Sequence, residues 1–231
     1  MKMKMLSLVA ALALLFVAAS VNAETSNFYQ GIDLWLSSSN AADTGNPNLG
    51  FGRNTSGGKS YIYHSLIEFT DIFGEGTGQI PYGSTIDNAT LNFYINYGNA
   101  ERRIYDMTID WNATSTWNSI GGGLIPGTNT SLTPVVSWIP SGSVWHWQGF
   151  DVTSSLQKWS DETLAANGWG LWGNALPSTT ACSLDYGTVG YRPYLSVAYT
   201  PAVVPEPVST ALFLLGGATL AVRRLRKGRK A

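Results

Sequence analysis

Between residues 85 and 97 the chain alternates, with Ala89, Leu91, Phe93, Ile95 and Tyr97 on one side and Ile86, Asn88, Thr90, Asn92, Tyr94 and Asn96 on the other. A period of two with one apolar and one largely polar face predicts a strand half-buried in an antiparallel sheet. Residues 61–69 repeat the pattern, setting Tyr61, Tyr63, Ser65, Ile67 and Phe69 opposite Ile62, His64, Leu66 and Glu68. Residues 31–36 and 103–111 read as strands too, and the Gly98-Asn99-Ala100 turn predicts that 103–111 pairs with 85–97. Further short strands are expected at 135–139, 144–152, 168–173, 181–187 and 194–199. The Gly, Pro, Ser and Asn-rich stretches 37–50, 73–83 and 116–130 read as loops. One segment changes period: Val152, Leu156 and Trp159 fall at i, i+4 and i+7, which predicts a short helix capped by Asp151 or Thr153 and plugging an edge or end of the fold. About nine short strands with one brief helix imply an all-β fold, a two-sheet antiparallel β-sandwich of jelly-roll-like form.

The two ends of the chain follow other rules. Lys2 and Lys4 precede the apolar run 5–19, and Val21-Asn22-Ala23 offers the small residues that a signal peptidase reads, so cleavage is expected after Ala23. At the other end Pro205-Glu206-Pro207 leads into the apolar run 208–222, and Arg223, Arg224, Arg226, Lys227, Arg229 and Lys230 close the chain. A basic end after an apolar run stops transfer across a bilayer, which leaves everything before it outside. The run of 15 residues covers roughly 22 Å at about 1.5 Å per residue, short of the ~30 Å hydrocarbon core, and so makes a marginal permanent anchor. This order of parts resembles the PEP-CTERM sorting signal. The resemblance implies removal by an exosortase-type membrane protease and an exported protein of the cell envelope or extracellular space, anchored only transiently. The expected organisation is a signal peptide at 1–23, one sandwich domain at 24–201 and a sorting signal at 202–231.

Removing the ends changes the charge. They hold two cations at the N-terminus, six at the C-terminus and one acid, Glu206, so residues 24–201 keep 6 basic against 14 acidic side chains, a net of −8. An anionic domain repels phosphate backbones, and nucleic acid is not an expected partner. Cys182 is the one cysteine in the chain, cannot close an internal disulfide and reads as a buried thiol.

Few residues suggest catalysis. His64 and His146 stand apart among aromatic neighbours, and no Gly-x-Ser-x-Gly elbow, His-Glu-x-x-His motif or Cys/His cluster appears. Aromatic rings are more suggestive, because the apolar C–H face of a sugar stacks on an electron-rich ring. Trp145, Trp147, Tyr61, Tyr63 and Trp35 alternate with polar residues and are candidates for such a platform. Arg102 and Arg103, with Lys59 or Lys158, are the candidate basic patch for an acidic polymer, although alternation sends the two arginines to opposite faces. Asp43, Asn46 and Asn48 in the first loop, or Asp185, offer oxygen ligands for a structural Ca²⁺. Sequons stand at Asn54, Asn88, Asn112 and Asn129.

Several blocks together resemble DNRLRE-domain proteins. They are Ser65-Leu66-Ile67-Glu68-Phe69, the stretch from Ile80 through Ile86, Ala89 and Leu91 to Tyr94, the Trp111 to Trp117 spacing, Phe150-Asp151-Val152-Thr153 with Leu156 and Trp159, Asn167-Gly168-Trp169-Gly170-Leu171, and Arg192-Pro193-Tyr194-Leu195-Ser196-Val197. The chain departs from that pattern at Phe69-Thr70-Asp71, where the acid is displaced by one position. The resemblance implies a β-sandwich of the kind grouped as family 96 carbohydrate-binding modules, some of which are associated with alginate. The expected function is a non-catalytic carbohydrate-binding or extracellular-matrix module. A polysaccharide-active lyase or hydrolase, or a structural surface protein or adhesin without a sugar ligand, are the alternatives.

Overall fold

Alternating segments become strands wherever a two-residue period meets a partner of matching polarity. The computed structural model describes residues 22–40, 45–96, 98–140 and 145–202. Expectations resting on 1–21, Asp43, Tyr97, Pro205, Glu206 and Pro207 lie outside the described residues. In chain order the strands are β1 (Glu24–Phe28), β2 (Gly31–Ser37), β3 (Asn48–Ser56), β4 (Lys59–Phe69), β5 (Thr85–Asn96), β6 (Arg102–Asp106), β7 (Val136–Trp138) and β8 (His146–Asp151). After one helix, α1 (Thr153–Ser160), come β9 (Trp169–Trp172), β10 (Thr179–Cys182) and β11 (Tyr194–Thr200). All their pairings are antiparallel.

The strands form an all-β sandwich of two sheets. Sheet I runs β1, β11, β5, β8, with β10 joining the far end of β5 and the first half of β3. Sheet II runs β2, β4, β9, β6, β7, with the second half of β3 also on β4. β3 therefore belongs to both sheets, pairing with β10 up to Phe51 and with β4 from Gly52. The corner needs glycine. Gly52 has φ +130°, and a Cβ there would stand 2.8 Å from the Ser178 Cα and 3.0 Å from an Arg102 nitrogen.

The apolar faces of the two sheets meet. Leu49, Phe51, Ile67, Phe69, Ala89, Leu91, Phe93, Ile95, Phe150, Leu195 and Val197 fill the space between them, with Trp169 and Leu171 of β9. Each such side chain contributes about 1.5–3 kcal/mol on burial. α1 closes one end. Leu156 and Trp159 enter this core, while Gln157 accepts the Ile86 N–H at 2.8 Å and donates to the Ser84 carbonyl at 3.2 Å. Ser155 donates to Asp106 of β6, so the helix ties sheet I to sheet II. The expected side-chain cap is not made, and Val152 stands at the N-cap position. Asp151 accepts the Thr153 N–H at 2.9 Å, whereas the Thr153 hydroxyl is turned to the Ala89 N–H of β5, also at 2.9 Å.

Sheet II is covered on its other face as well. Leu34, Leu36 and Leu66 pack there against Met107, Trp111, Ile120 and Leu124, all from the segment after β6. A strand is expected as far as Trp111 and a loop over 116–130, whereas the segment folds back on sheet II and makes hydrogen bonds within itself. Asn129 accepts the Ile125 N–H at 2.7 Å and donates to the Ile120 and Gly123 carbonyls at 2.6 and 2.8 Å, which buries that sequon. The remaining broad surface is the outer face of sheet I.

Four further expectations are corrected. β3 occupies a stretch partly read as loop, because Gly50 and Gly52 mask the alternation of Leu49 and Phe51. β1 was not foreseen, since its sequence is mostly polar and it gains its order from β11. β6 ends at Asp106 and pairs with β7 and β9, not with β5: at Gly98 the chain passes between sheets instead of turning a hairpin. Ile86 faces the core beside Ala89, because Asp87 is an extra residue in the pairing with β11 and shifts the alternation by one.

Candidate functional site

On the outer face of sheet I, register places residues of four strands side by side. Tyr94 of β5 lies opposite Trp147 of β8, and Asn92 lies between Tyr194 of β11 and Gly149 of β8. The next row is Asn27, Ser196, Thr90 and Asp151. Aromatic rings occupy one side of this surface and amides and hydroxyls the other.

The rings form a connected row. Tyr29 stacks on Tyr194 with centroids 5.6 Å apart, and Tyr194 meets Trp147 edge-on at 5.4 Å. Trp147 leans on Tyr94 at 5.6 Å. Tyr94 is the hub: Trp145 stacks on it at 5.5 Å and 15°, and Tyr191 at 4.3 Å and 8°. Tyr191 and Tyr186 continue the row at 6.4 Å. Tyr29, Trp147 and Tyr191 are 57%, 42% and 39% exposed, so these three present ring surface to solvent, while Tyr94 supports Trp147 and Tyr191 and Tyr194 supports Tyr29. An isolated exposed aromatic residue is ordinary, but a contiguous row of them on one sheet face marks an interaction surface.

The polar side of the face is built with equal economy. Asn92 donates to the Thr90 carbonyl at 3.0 Å, and the Thr90 hydroxyl donates to Asn88 at 3.2 Å. Gly149 lets these two side chains lie across the strand, since a Cβ there would stand 2.9 Å from Thr90 Cγ2 and 3.2 Å from Asn92 Oδ1. A glycine inside a strand often marks such a close approach. Asp151 is the charged residue among these register positions, and hydrogen bonds from Thr153 hold its carboxyl below the usual range.

The platform expected from the sequence is thus divided. Trp145 and Trp147 join the row on sheet I, whereas Trp35, Tyr61 and Tyr63 lie on sheet II. There Trp35 packs against Tyr63 at 4.7 Å, with its Nε1 buried against Gly50, and burial followed by Tyr61 raises the Tyr63 phenol. Tyr94, Tyr194, Tyr191, Tyr29 and Tyr186 were not singled out. For Tyr94 a clue was available, an aromatic residue in the polar series Asn88, Thr90, Asn92 and Asn96.

The expected basic patch does not form. Arg102 is fully buried, its Nε donating to Thr179 Oγ1 at 2.9 Å and its terminal nitrogens to the carbonyls of Glu101, Ala175 and Pro177. It is an interior tie and not a surface cation. Arg103 pairs with Glu101 at 2.8 Å and lies over the Trp172 ring at 5.2 Å, and its guanidinium pKa is raised chiefly by the hydrogen bond to Glu101. Lys158 reaches Asp106 at 3.3 Å, while Lys59 is exposed at the start of β4.

Asn48 and Asp185 are brought near one another by the pairing of Cys182 with Asn48 and the Ser183 N–H bond to the Pro47 carbonyl at 3.1 Å. The Asn46 side chain accepts the Asn48 N–H at 3.1 Å, an ordinary turn contact. Among the described residues no three of His, Cys, Asp and Glu gather as a metal site. Cys182 is buried, and burial pushes its thiol up to about 11. A separate hollow of about 300 Å³ is lined by Asp110, Trp111, Asn112, Thr114 and Ser119 among others. Burial, and then Asp110, raises the pKa of Glu68.

No protein-family model matches the chain, and no curated protein matches it.

Proposed function

We propose that this chain is an exported, non-catalytic carbohydrate-binding or extracellular-matrix module, and that it holds polysaccharide on the outer face of sheet I. The observation that carries this reading is the row from Tyr29 through Tyr194, Trp147 and Tyr94 to Tyr191, set beside Asn27, Asn88, Thr90, Asn92 and Ser196. Rings take the apolar faces of sugars, and amides and hydroxyls take their equatorial hydroxyls. The resemblance to DNRLRE-domain proteins and family 96 carbohydrate-binding modules agrees with such a role.

The ends of the chain support export. A signal peptidase acts after Ala23, and β1 begins at the next residue, Glu24, whose carboxylate accepts the Tyr199 hydroxyl at 2.9 Å. Cleavage there leaves the β1–β11 pairing whole. The PEP-CTERM-like tail is read by an exosortase-type membrane protease, which brings the protein to the cell envelope. Mass spectrometry of the exported protein is expected to give a chain starting near Glu24 and stopping close to Pro205, and an intact basic tail on the released form would refute the sorting reading.

The functional test is a glycan array with residues 24–201, run beside an assay for polymer degradation. Binding without turnover is expected. The raised Glu68 pKa beside Asp110 favours a second reading, a lyase or hydrolase using these two carboxyls, and turnover lost in Asp110→Asn would establish it. Silence in both assays would leave a structural spacer or adhesin.

A further inference from the structure

Resting on the carbohydrate-binding reading, we infer that the ligand of sheet I is an uncharged linear glycan lying across the strands from β1 towards β8. Direction follows from the aromatic row. Its rings come in turn from the end of β1 (Tyr29), from β11 (Tyr194), from β8 (Trp147) and from β5 (Tyr94), so the row crosses the strands and does not follow one of them. Four neighbouring strands at about 4.8 Å spacing span roughly 14 Å, room for a short run of sugar rings and more than a monosaccharide requires.

Ligand charge follows from what the face lacks. The outward register positions are Thr25 and Asn27 of β1, Ser196 and Ala198 of β11, Asn88, Thr90, Asn92 and Asn96 of β5, and Gly149 and Asp151 of β8, besides the rings. None is a cation, and the ionised Asp151 adds a negative charge. At the rim Arg192 spends its Nε on the Tyr186 carbonyl at 2.7 Å. The other five cations are placed elsewhere: Arg53 and Lys59 are in the β3–β4 pairing of sheet II, Arg102 is interior, Arg103 is held by Glu101, and Lys158 by Asp106 of sheet II. A polyuronate on this face would have its carboxylates desolvated beside the Asp151 carboxylate, whose hydrogen-bond donors in Thr153 are uncharged, whereas an uncharged sugar meets no such repulsion.

The occupant is therefore chosen by charge as well as by shape. At Gly149 the Thr90 and Asn92 side chains of β5 lie where a Cβ would stand, which brings polar groups up beside Trp147.

The test is a set of calorimetric titrations of residues 24–201 with uncharged hexamers of glucose, xylose and mannose, and with mannuronate and galacturonate hexamers, at low and high salt. Binding of at least one uncharged hexamer is expected, unchanged by salt and weakened about tenfold or more by Trp147→Ala or Tyr194→Ala. Arg103→Ala, whose side chain lies on sheet II, is expected to leave it within about twofold, the scale of a group outside the contact. Circular dichroism of each variant separates lost binding from lost fold. Salt-sensitive binding of the uronate hexamers alone, lost in Trp147→Ala, would overturn the charge inference and leave the carbohydrate site standing. No binding by any hexamer would overturn both. Sugar binding unaffected by either ring variant would move the site off this face. Sedimentation showing a dimer that Trp147→Ala dissociates, with no sugar bound, would replace the glycan with a second copy of the chain.

Discussion

Arg102→Ala is expected to lower stability by about 3–5 kcal/mol, the combined scale of buried acceptors losing a charged donor and of a large side chain leaving a cavity. The guanidinium is fully buried and joins two parts of the chain: β6 carries it, and residues 174–179 surround it with the Ala175 and Pro177 carbonyls and the Thr179 hydroxyl. The glycines Gly52 and Gly173 make room for it, since a Cβ on Gly173 would stand 2.9 Å from Arg102 Cδ. Truncation takes this donor from the Pro177 carbonyl and the Thr179 hydroxyl, while the Ala175 carbonyl keeps the Arg53 N–H at 3.0 Å, and it opens a cavity at the corner where β3 passes between sheets. For a domain of this size that is roughly a 10 °C fall in melting temperature. Arg102→Lys is expected to recover little, because an ammonium cannot address several acceptors in the planar fork that Arg offers. Arg103→Ala provides the surface comparison, with an expected loss below about 1 kcal/mol. An Arg102→Ala protein melting within a degree or two of wild type would show that the tie is dispensable.

That burial could not be read from the sequence, and the reason is physical. A charged residue at a strand start defaults to solvent, and its partners here are mainly backbone carbonyls, which every residue carries and no motif announces. The helix and β5 were legible for the opposite reason. Their apolar spacing, Leu156 and Trp159 in one case and Leu91, Phe93 and Ile95 in the other, is itself the face that enters the core. β6 shows where local reading stops. Its distance along the chain from β5 fits a hairpin, but Ile104 is matched to Leu171 and Val136 in the second sheet, and strand partners are chosen by long-range packing.

The aromatic face was legible only in part. Trp145 and Trp147 alternate within one segment and could be paired by eye, whereas Tyr191, Tyr194 and Tyr29 reach them through the β11–β5 and β1–β11 registers. A site assembled from both ends of a domain leaves no spacing to find. Trp35, Tyr61 and Tyr63 carry the same local alternation and lie on the other sheet, so alternation identifies a face without saying which face it will share.

Acidification from pH 7 to pH 4 is expected to weaken the domain through His64. Its imidazole stacks on Trp117 at 4.9 Å and on Trp172 at 6.3 Å, and its Nδ1 accepts the Leu124 N–H at 2.9 Å, fastening the covering segment to sheet II. Burial pushes its pKa down to about 3, against a smaller opposing contribution from the Gly173 backbone. The unfolded chain, with an ordinary pKa near 6.5, thus takes up the proton first. Stability from this group is complete above about pH 6.5 and is lost as pH falls towards 3, up to an order of 5 kcal/mol if the whole shift is expressed. Protonation also removes the lone pair that receives the Leu124 N–H. Unfolding measured against pH in wild type and His64→Asn isolates the effect. The variant is expected to be weaker at neutral pH by about 2 kcal/mol from lost ring packing, with a flatter acid limb, so that the two proteins converge at about pH 5. Hydrogen exchange at Leu124 reports the same event locally and is expected to accelerate in acid before exchange in β5 does. Parallel acid limbs for the two proteins would show that the carboxylates alone set the response to acid.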